Sequence, residues 1–202
     1  RHTRYISVTG VQTCALPISS LLENRYEKIA TGEYLPGPIN ADGAFAYSNS
    51  ASTANWYQYN FFQFHHPAIH KLLRSVKSMA IEGCEHYNID FDLQNYMVQG
   101  WFNINYTKKG KLDWHDHGGG GAPFFHGYYS VSAEPSVTHY KIFNKEVINV
   151  NKNNRAILSE TGHLHAMGDW DWEGPRITIA YDITPLKYVI NNFQEQHWIP
   201  LV

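Results

Sequence analysis

The sequence predicts a mainly β protein, an antiparallel sandwich or barrel with one or two helices before the strands. From residue 93 onward, apolar and polar residues alternate with the period of two that a strand requires. The strand-like runs are short and evenly spaced, and turns rich in Gly, Pro and Asn separate them. The clearest helical spacing of apolar residues comes before these runs, which predicts a helix that supports the sheet.

Length and composition fit one globular domain. The chain has 202 residues, of which 43% are hydrophobic and 15% aromatic, enough to bury a core and to argue against disorder. A net charge of −2 argues against binding to a long polyanion, and nothing in the sequence indicates a nucleic-acid partner. No apolar run reaches the roughly 20 residues of a membrane-spanning helix, so we expect no membrane partner. The twelve histidines stand out, because histidine is the commonest metal ligand.

The first 19 residues read differently from the rest. Their basic start is compatible with a signal peptide, but Thr9, Gly10 and Gln12 interrupt the apolar stretch that such a peptide needs. The segment resembles a translated sequencing adapter of the kind found at the ends of metagenomic proteins. We therefore expect residues 1–19 to be non-native or disordered, and residues 20–202 to form a single domain. Without an export signal, a cytoplasmic location is expected, and two cysteines cannot build a disulfide framework.

Three segments precede the predicted strands. Residues 20–30 predict a short amphipathic helix, and residues 31–54 form a long loop without periodicity. The clearest helix opens at His66-Pro67, because proline is tolerated in a first helical turn. It ends near Gly83, and three- and four-residue spacing marks its buried face, namely Ile69, Leu72, Leu73, Val76, Met79 and Ala80.

The predicted strands follow in order. The first continues the alternation through Tyr96, Val98 and Phe102 to Asn105, and a turn at 108–111 ends it. The further runs cover residues 112–117, 124–132, 138–143, 146–150, 155–159, 176–183 and, as the weakest, 197–202.

Two histidines lie one residue apart at the end of the run 112–117. Alternate residues of a strand share a face, so Asp113, His115 and His117 point the same way. Two imidazoles on one face provide half of a metal site, and the glycines 118–121 leave open space beside it. The alternative is a polar edge strand whose histidines are solvated.

A second informative segment contains His165, which precedes Arg176 by eleven positions. Arg176 opens an apolar, alternating strand in which Thr178 and Ala180 share its face. An arginine with such neighbours can point into a barrel, where the buried guanidinium needs an anionic partner. A ligand carboxylate, bound by both arms of the planar guanidinium, would serve.

These segments occur in a characteristic order: Trp101-Phe102-Asn103, His115-x-His117, Gly127-Tyr128-Tyr129-Ser130-Val131, His165, and Arg176-Ile177-Thr178-Ile179. In this order and spacing they resemble the Fe(II)/2-oxoglutarate-dependent dioxygenase superfamily. Within it, the chain is similar to oxygenases predicted from bacterial and marine-phage genomes. The resemblance implies a double-stranded β-helix, the cupin-like jelly roll, with iron inside one mouth.

The resemblance also implies residue roles and a reaction. His115 and His165 would bind Fe(II), and Arg176 would bind the distal carboxylate of the cosubstrate 2-oxoglutarate. The resemblance implies that Thr178, Asn103 and one tyrosine of the Tyr128-Tyr129 pair also hold this cosubstrate. We assign the tyrosine contact to Tyr129. The implied activity is hydroxylation of an unidentified small molecule or side chain, with conversion of 2-oxoglutarate and O2 to succinate and CO2.

The chain departs from the superfamily at the third iron ligand. The usual triad has a carboxylate two residues after the first histidine, where this chain has His117. We favour a metal set of His115, His117 and His165, with His165 preferred over His163 by spacing. Asp113, which shares a face with the first two, is one alternative. The other is a site without a carboxylate, in which chloride fills the vacancy as in halogenases. Of the twelve histidines, only the three of the favoured set are assigned a role.

Two other functions stay open. A cupin-like metal enzyme can act through three histidines without 2-oxoglutarate, and a jelly-roll binding protein can carry histidines that have no catalytic role. Arg176 favours the oxygenase over the cupin-like enzyme, which needs no anchor for 2-oxoglutarate. Assembly into a homodimer is a further open expectation.

Overall fold

The computed structural model describes residues 6–9, 50–52, 59–92, 95–105, 114–117, 125–192 and 197–202. The strands in this part of the chain are β1 (Ile6–Thr9), β2 (Ser50–Ser52), β3 (Tyr96–Asn105), β4 (Phe125–Ser132), β5 (Val137–Ile142), β6 (Lys145–Val150), β7 (Arg155–Glu160), β8 (Leu164–Met167), β9 (Arg176–Pro185) and β10 (Ile199–Pro200). The helices are α1 (Pro67–His86) and α2 (Leu186–Asn192), and a 3-10 turn covers Phe61–Gln63.

Helix α1 begins where the sequence predicts. His66 caps it, because the His66 Nδ1 atom accepts a hydrogen bond of 3.2 Å from the Ala68 N–H, and Pro67 occupies the first turn. Its predicted face is buried except for Leu73, which is partly exposed, and Leu72 and Val76 are fully shielded from solvent. This face packs into the main core with the large sheet, so α1 supports that sheet from outside.

The strands form two antiparallel sheets. The large sheet has the order β1-β7-β4-β9-β3-β10, and β2 also pairs with β3. The small sheet has the order β6-β5-β8, and His115 extends its edge through an isolated bridge to His165. From β3 onward the chain passes repeatedly from one sheet to the other, which is the connectivity of a double-stranded β-helix. The predicted fold class is confirmed.

Strand alternation gives the large sheet two different faces. On β9, Ile179 and Tyr181 point into the main core beside α1. The alternate residue Ala180 packs instead against Tyr128 of β4 and Tyr140 of β5, in a smaller cluster between the two sheets. The space between the sheets, here called the interior, is therefore lined by every second residue of these strands.

Some predicted elements differ from the observed ones. In the described stretch 114–117, only His115 pairs with a neighbouring strand, so this part of the predicted strand 112–117 is reduced to a single bridge, while residues 112 and 113 lie outside the described residues. Strand β8 and helix α2 were not predicted from the sequence. Strand β8 is only four residues long, too short to establish a period, and α2 begins directly after the buried strand β9.

The N-terminal segment contributes one strand. Residues 6–9 lie in the segment that we expected to be disordered, yet they pair with residues 155–158 of β7. Backbone groups at a sheet edge accept any extended segment, whatever its side chains. These four residues form an edge strand, and the expectation that residues 1–19 are non-native or disordered stays a prediction. The predicted helix 20–30 lies outside the described residues, as does the loop 31–54 except for β2.

Neither helix in the described part of the chain combines the length and the apolar character needed to cross a membrane.

Candidate active site

The three histidines selected from the sequence lie together in the interior. The backbone N–H groups of His115 and His165 each donate to the carbonyl of the other, at 3.1 and 2.8 Å. The centroids of these two rings are 4.3 Å apart, and the His117 ring lies 5.1 Å from that of His165. One potential ligand nitrogen of each histidine lies within 4.8 Å of the other two. The three side chains can therefore hold one metal ion.

Two further side chains, which the sequence did not predict, join this cluster. Asp182 Oδ1 lies 2.8 Å from His126 Nδ1, and Asp182 Oδ2 lies 3.2 Å from His117 Nδ1. The His126 ring stacks on the His117 ring with centroids 3.7 Å apart. His117, His126 and Asp182 thus form a second set whose ligand atoms lie close enough to hold a metal ion. The expectation that only three histidines cluster is wrong, because His126 is a fourth.

Strand alternation was the signal that could have found the two missed residues. Asp182 lies two positions beyond Ala180 on β9, so it shares the interior face with Arg176. His126 lies two positions before Tyr128 on β4, and the register of the two strands places it directly opposite Asp182. The predicted interior face of β9 included Arg176, Thr178 and Ala180 but not Asp182.

Burial keeps the deepest histidines neutral. Burial and the neighbouring histidines together lower the pKa of His165 to about 2. Burial and His117 together lower the pKa of His126 to about 4, although Asp182 acts in the opposite direction. Neutral imidazole is the form that binds metals, so at neutral pH both side chains have a nitrogen lone pair to offer.

Asp182 is ionised although it is buried. Burial alone would raise the pKa of its carboxyl group, but His117 and His126 outweigh this effect and bring it down to about 2. The cluster therefore combines neutral imidazoles with one negative charge.

The alternative ligands considered from the sequence, Asp113 and His163, do not join the metal set in the described part of the chain. Asp113 is not among the described residues. His163 belongs to neither of the two possible metal sets, and its Nε2 atom lies 3.6 Å from a carboxylate oxygen of Glu160. Trp101 contributes a wall instead, since its ring stacks on His117 at 5.5 Å.

Arg176 is buried on the same interior face of β9, with 5% of its surface exposed. Its Nε atom donates a hydrogen bond of 3.1 Å to Ser136 Oγ. Among the described residues, no acidic side chain forms an ion pair with it and no hydrogen bond engages its two terminal nitrogens. Burial lowers its pKa to about 10, opposed by Tyr128 and Tyr140, so it is still a cation at neutral pH. A buried cation of this kind calls for an anionic ligand.

A buried polar network continues from Ser136. Asn151 Nδ2 donates to Ser136 Oγ at 2.9 Å, and Asn151 Oδ1 accepts from the Tyr128 hydroxyl at 2.7 Å. Asn149 Nδ2 in turn donates to the Tyr128 hydroxyl at 2.7 Å. Because these groups bond one another, Ser136 is fixed in place and so is the guanidinium that it holds.

The structure separates the residues predicted to hold the cosubstrate. Thr178 shares the interior face with Arg176, and Asn103 lies directly opposite Thr178 in the pairing of β3 with β9. Tyr129 points the other way: it is fully buried in the main core, and its hydroxyl donates to Asn154 Oδ1 at 3.2 Å. Tyr128 is the tyrosine of the pair that faces the interior. Assigning the cosubstrate contact to Tyr129 chose the wrong face of β4.

No protein-family model matches the chain, and no curated protein matches its sequence. Solved structures match its fold. One is a prolyl hydroxylase from Trichoplax adhaerens, solved in complex with a hypoxia inducible factor oxygen degradation domain peptide fragment. It is 13% identical to this chain with a TM-score of 0.64, and the match covers 93% of this chain and 86% of the hydroxylase. A prolyl-4-hydroxylase from Pseudomonas putida is 9% identical with a TM-score of 0.59, covering 91% and 93%.

HygX from Streptomyces hygroscopicus, solved with nickel, 2-oxoglutarate and hygromycin B bound, is also similar. It is 11% identical with a TM-score of 0.58, and the match covers 91% of this chain and 84% of HygX. Identities this low show a shared fold. The chain therefore has the double-stranded β-helix of the prolyl hydroxylases and of HygX, the fold implied by its resemblance to the Fe(II)/2-oxoglutarate-dependent dioxygenase superfamily.

Proposed function

We propose that this protein is an Fe(II)- and 2-oxoglutarate-dependent oxygenase that hydroxylates its substrate. The observation that carries the proposal is Arg176, a buried cation without an acidic partner among the described residues. It shares the interior face of β9 with Asp182, which lies in the histidine cluster. A dicarboxylate that reaches from the metal to this guanidinium would provide the missing negative charge. The similarity in fold to HygX, which was solved with 2-oxoglutarate bound, supports this choice of ligand.

The donor set fits iron. His115, His117 and His165 would hold the metal, since imidazole is a suitable ligand for iron and these nitrogens lie close together. A metal held by three protein ligands keeps positions open for other groups. When bound, iron and 2-oxoglutarate supply the oxidising chemistry, with 2-oxoglutarate and O2 converted to succinate and CO2.

The chain itself binds, orients and excludes water. Arg176 would bind the distal carboxylate of 2-oxoglutarate with both terminal nitrogens, which fixes the direction of the cosubstrate. Ser136 holds the guanidinium in place through Nε. Trp101 and Ala180 line the interior with apolar surface, which keeps water away from the reacting groups.

Binding of 2-oxoglutarate to the metal-loaded protein under anaerobic conditions tests this proposal. We expect saturable binding by the wild type, measured by calorimetry. Arg176→Ala should weaken it by about 2 kcal/mol or more, or about thirtyfold in Kd, because the carboxylate loses its charged partner in a buried site. Arg74→Ala, which removes an exposed arginine from α1, is the matched control and should leave the Kd unchanged.

Two results would contradict the oxygenase proposal. One is a metal-loaded wild type that does not bind 2-oxoglutarate, which would favour a cupin-like metal enzyme. The other is equal binding by the wild type and Arg176→Ala. Succinate release in the presence of Fe(II), ascorbate, 2-oxoglutarate and O2 gives a second readout. The substrate class, a small molecule or a side chain, stays a prediction.

A further inference from the structure

The proposed iron set consists of three histidines, so it lacks the carboxylate that the usual facial triad contains. Asp182 supplies a carboxylate beside this set, from the opposite sheet, with its Oδ2 atom 3.2 Å from His117 Nδ1. We propose that Asp182 is the positioning carboxylate of this metal centre: it holds Nδ1 of His117, so that Nε2 of His117 faces the metal shared with His115 and His165. The inference rests on the proposed three-histidine centre.

The geometry around Asp182 supports a hydrogen-bonding role. Both of its neighbouring histidines approach it through Nδ1, at 2.8 Å for His126 and 3.2 Å for His117. These are ordinary lengths for a nitrogen donor and a carboxylate acceptor. The side chain is buried, with 9% of the residue exposed, so water does not compete for the two donors.

Holding Nδ1 has consequences at the other ring nitrogen. A neutral imidazole carries one proton, and a carboxylate that accepts it from Nδ1 leaves the lone pair on Nε2. The same hydrogen bond fixes the rotation of the ring and makes Nε2 a stronger donor to the metal. Asp182 would thus select both the tautomer and the direction of the His117 ligand.

His126 holds the carboxylate from the second side. It donates to Asp182 Oδ1 and its ring stacks on His117, at 3.7 Å between centroids and 25° between planes. Asp182 therefore has one donor that reaches the metal and one that keeps the carboxylate in place. This explains why a fourth histidine lies beside the three of the proposed metal set.

The charge of the metal ion also favours this role for Asp182. Three neutral imidazoles leave the charge of a divalent ion uncompensated in a buried site, which is costly. In the usual triad a ligand carboxylate offsets one unit of this charge. Asp182, one hydrogen bond further from the metal, offsets it through His117.

A competing arrangement uses the same residues differently. His117, His126 and Asp182 can themselves form a metal set in which a carboxylate oxygen binds the ion. That arrangement would leave His115 and His165 without a role, although their rings lie 4.3 Å apart beside His117. The experiment below separates the two arrangements.

Titration of the apo protein with Co(II), followed by the ligand-field absorption of the bound ion, tests the role of Asp182. Asp182→Asn keeps an oxygen that can accept from His117 but removes the charge, and we expect Co(II) affinity to fall roughly 10- to 100-fold with a changed absorption spectrum. Asp182→Ala should cost more, since it removes the acceptor as well. Thr184→Val is the control: Thr184 lies on the same face of β9, and its buried hydroxyl has no hydrogen-bond partner among the described residues. Its Kd and spectrum should match the wild type.

A second pair of variants keeps the test decisive if Asp182→Asn does not fold. His126→Phe retains a ring on His117 but loses one donor to Asp182, so we expect a smaller loss of Co(II) affinity than His115→Ala causes. The reverse order would place the metal in the competing set and overturn the proposal. So would a Kd and spectrum of Asp182→Asn equal to those of the wild type.

Adding 2-oxoglutarate to the Co(II)-loaded wild type separates this inference from the proposed function. If 2-oxoglutarate does not bind, the oxygenase proposal fails, while the effect of Asp182→Asn on Co(II) affinity still decides the role of Asp182. If 2-oxoglutarate binds and Asp182→Asn has no effect on Co(II), the inference alone fails.

Discussion

At the scale of single residues, neighbours in the chain have opposite surroundings. Tyr128 and Tyr129 are adjacent on β4, yet Tyr128 faces the interior and Tyr129 the main core. Their side chains are chemically identical, so they differ only in the face of β4 to which each one points. The hydroxyl of Tyr128 bonds Asn149 and Asn151, and through Asn151 it is connected to Ser136 and Arg176.

Removing each hydroxyl in turn should separate the two roles. We expect Tyr128→Phe to raise the Kd for 2-oxoglutarate severalfold, because it loosens the network that holds Arg176. Tyr129→Phe should leave this Kd unchanged and lower the free energy of unfolding by about 1 kcal/mol, the worth of its hydrogen bond to Asn154. Calorimetry and urea unfolding measure the two quantities. A larger effect of Tyr129→Phe on the Kd would contradict the assignment of faces.

At the scale of elements, β4 tolerates little change at Gly127. It lies between β7 and β9, and His126 and Tyr128 flank Gly127. A Cβ atom at Gly127 would lie 2.3 Å from the Ile157 carbonyl oxygen and 2.4 Å from Tyr181 Cε2. The absence of a side chain here lets the Tyr181 hydroxyl donate to the Ile157 carbonyl, at 2.8 Å, across the face of β4.

Gly127→Ala should therefore disturb both the strand and the site. We expect the free energy of unfolding to fall by about 1–3 kcal/mol, the usual cost of overpacking, since one of the two blocking groups is backbone. Co(II) affinity should fall as well, because His126 and Asp182 move together through the pairing of β4 with β9. Gly162→Ala is the matched control, since no atom of the described residues lies within 4 Å of its added Cβ. Equal stability of the two variants would refute the packing argument.

At the scale of the whole molecule, the cluster makes the metal-free fold sensitive to acid. Folded-state pKa values of about 2 for His165 and about 4 for His126 lie below the unfolded value of about 6.5. As pH falls below about 6.5, the unfolded chain takes up protons that the folded chain does not, so stability falls. Asp182, with a pKa of about 2 against the model-compound value of 3.8, adds to the loss only below about pH 4.

Urea unfolding of the metal-free protein over a series of pH values checks this dependence. The free energy of unfolding should decrease steadily from about pH 7 to pH 5, a range in which histidine and not aspartate is responsible. His165→Gln should make the decrease shallower, and His70→Gln, exposed on α1, should not. A wild-type stability that does not change across this range would contradict the burial of neutral histidines.

The sequence alone predicts the mainly β architecture, helix α1 with its buried face, and the cluster of His115, His117 and His165. These depend on local spacing, because the alternation of a strand and the period of a helix are properties of neighbouring residues. It could not determine that Asp182 and His126 meet His117, since their contact depends on the register of β4 with β9 and on the distance between the sheets. It also could not decide which of two adjacent tyrosines faces the interior. Tertiary structure decided both, because a shift of one residue in register exchanges the two faces of a strand.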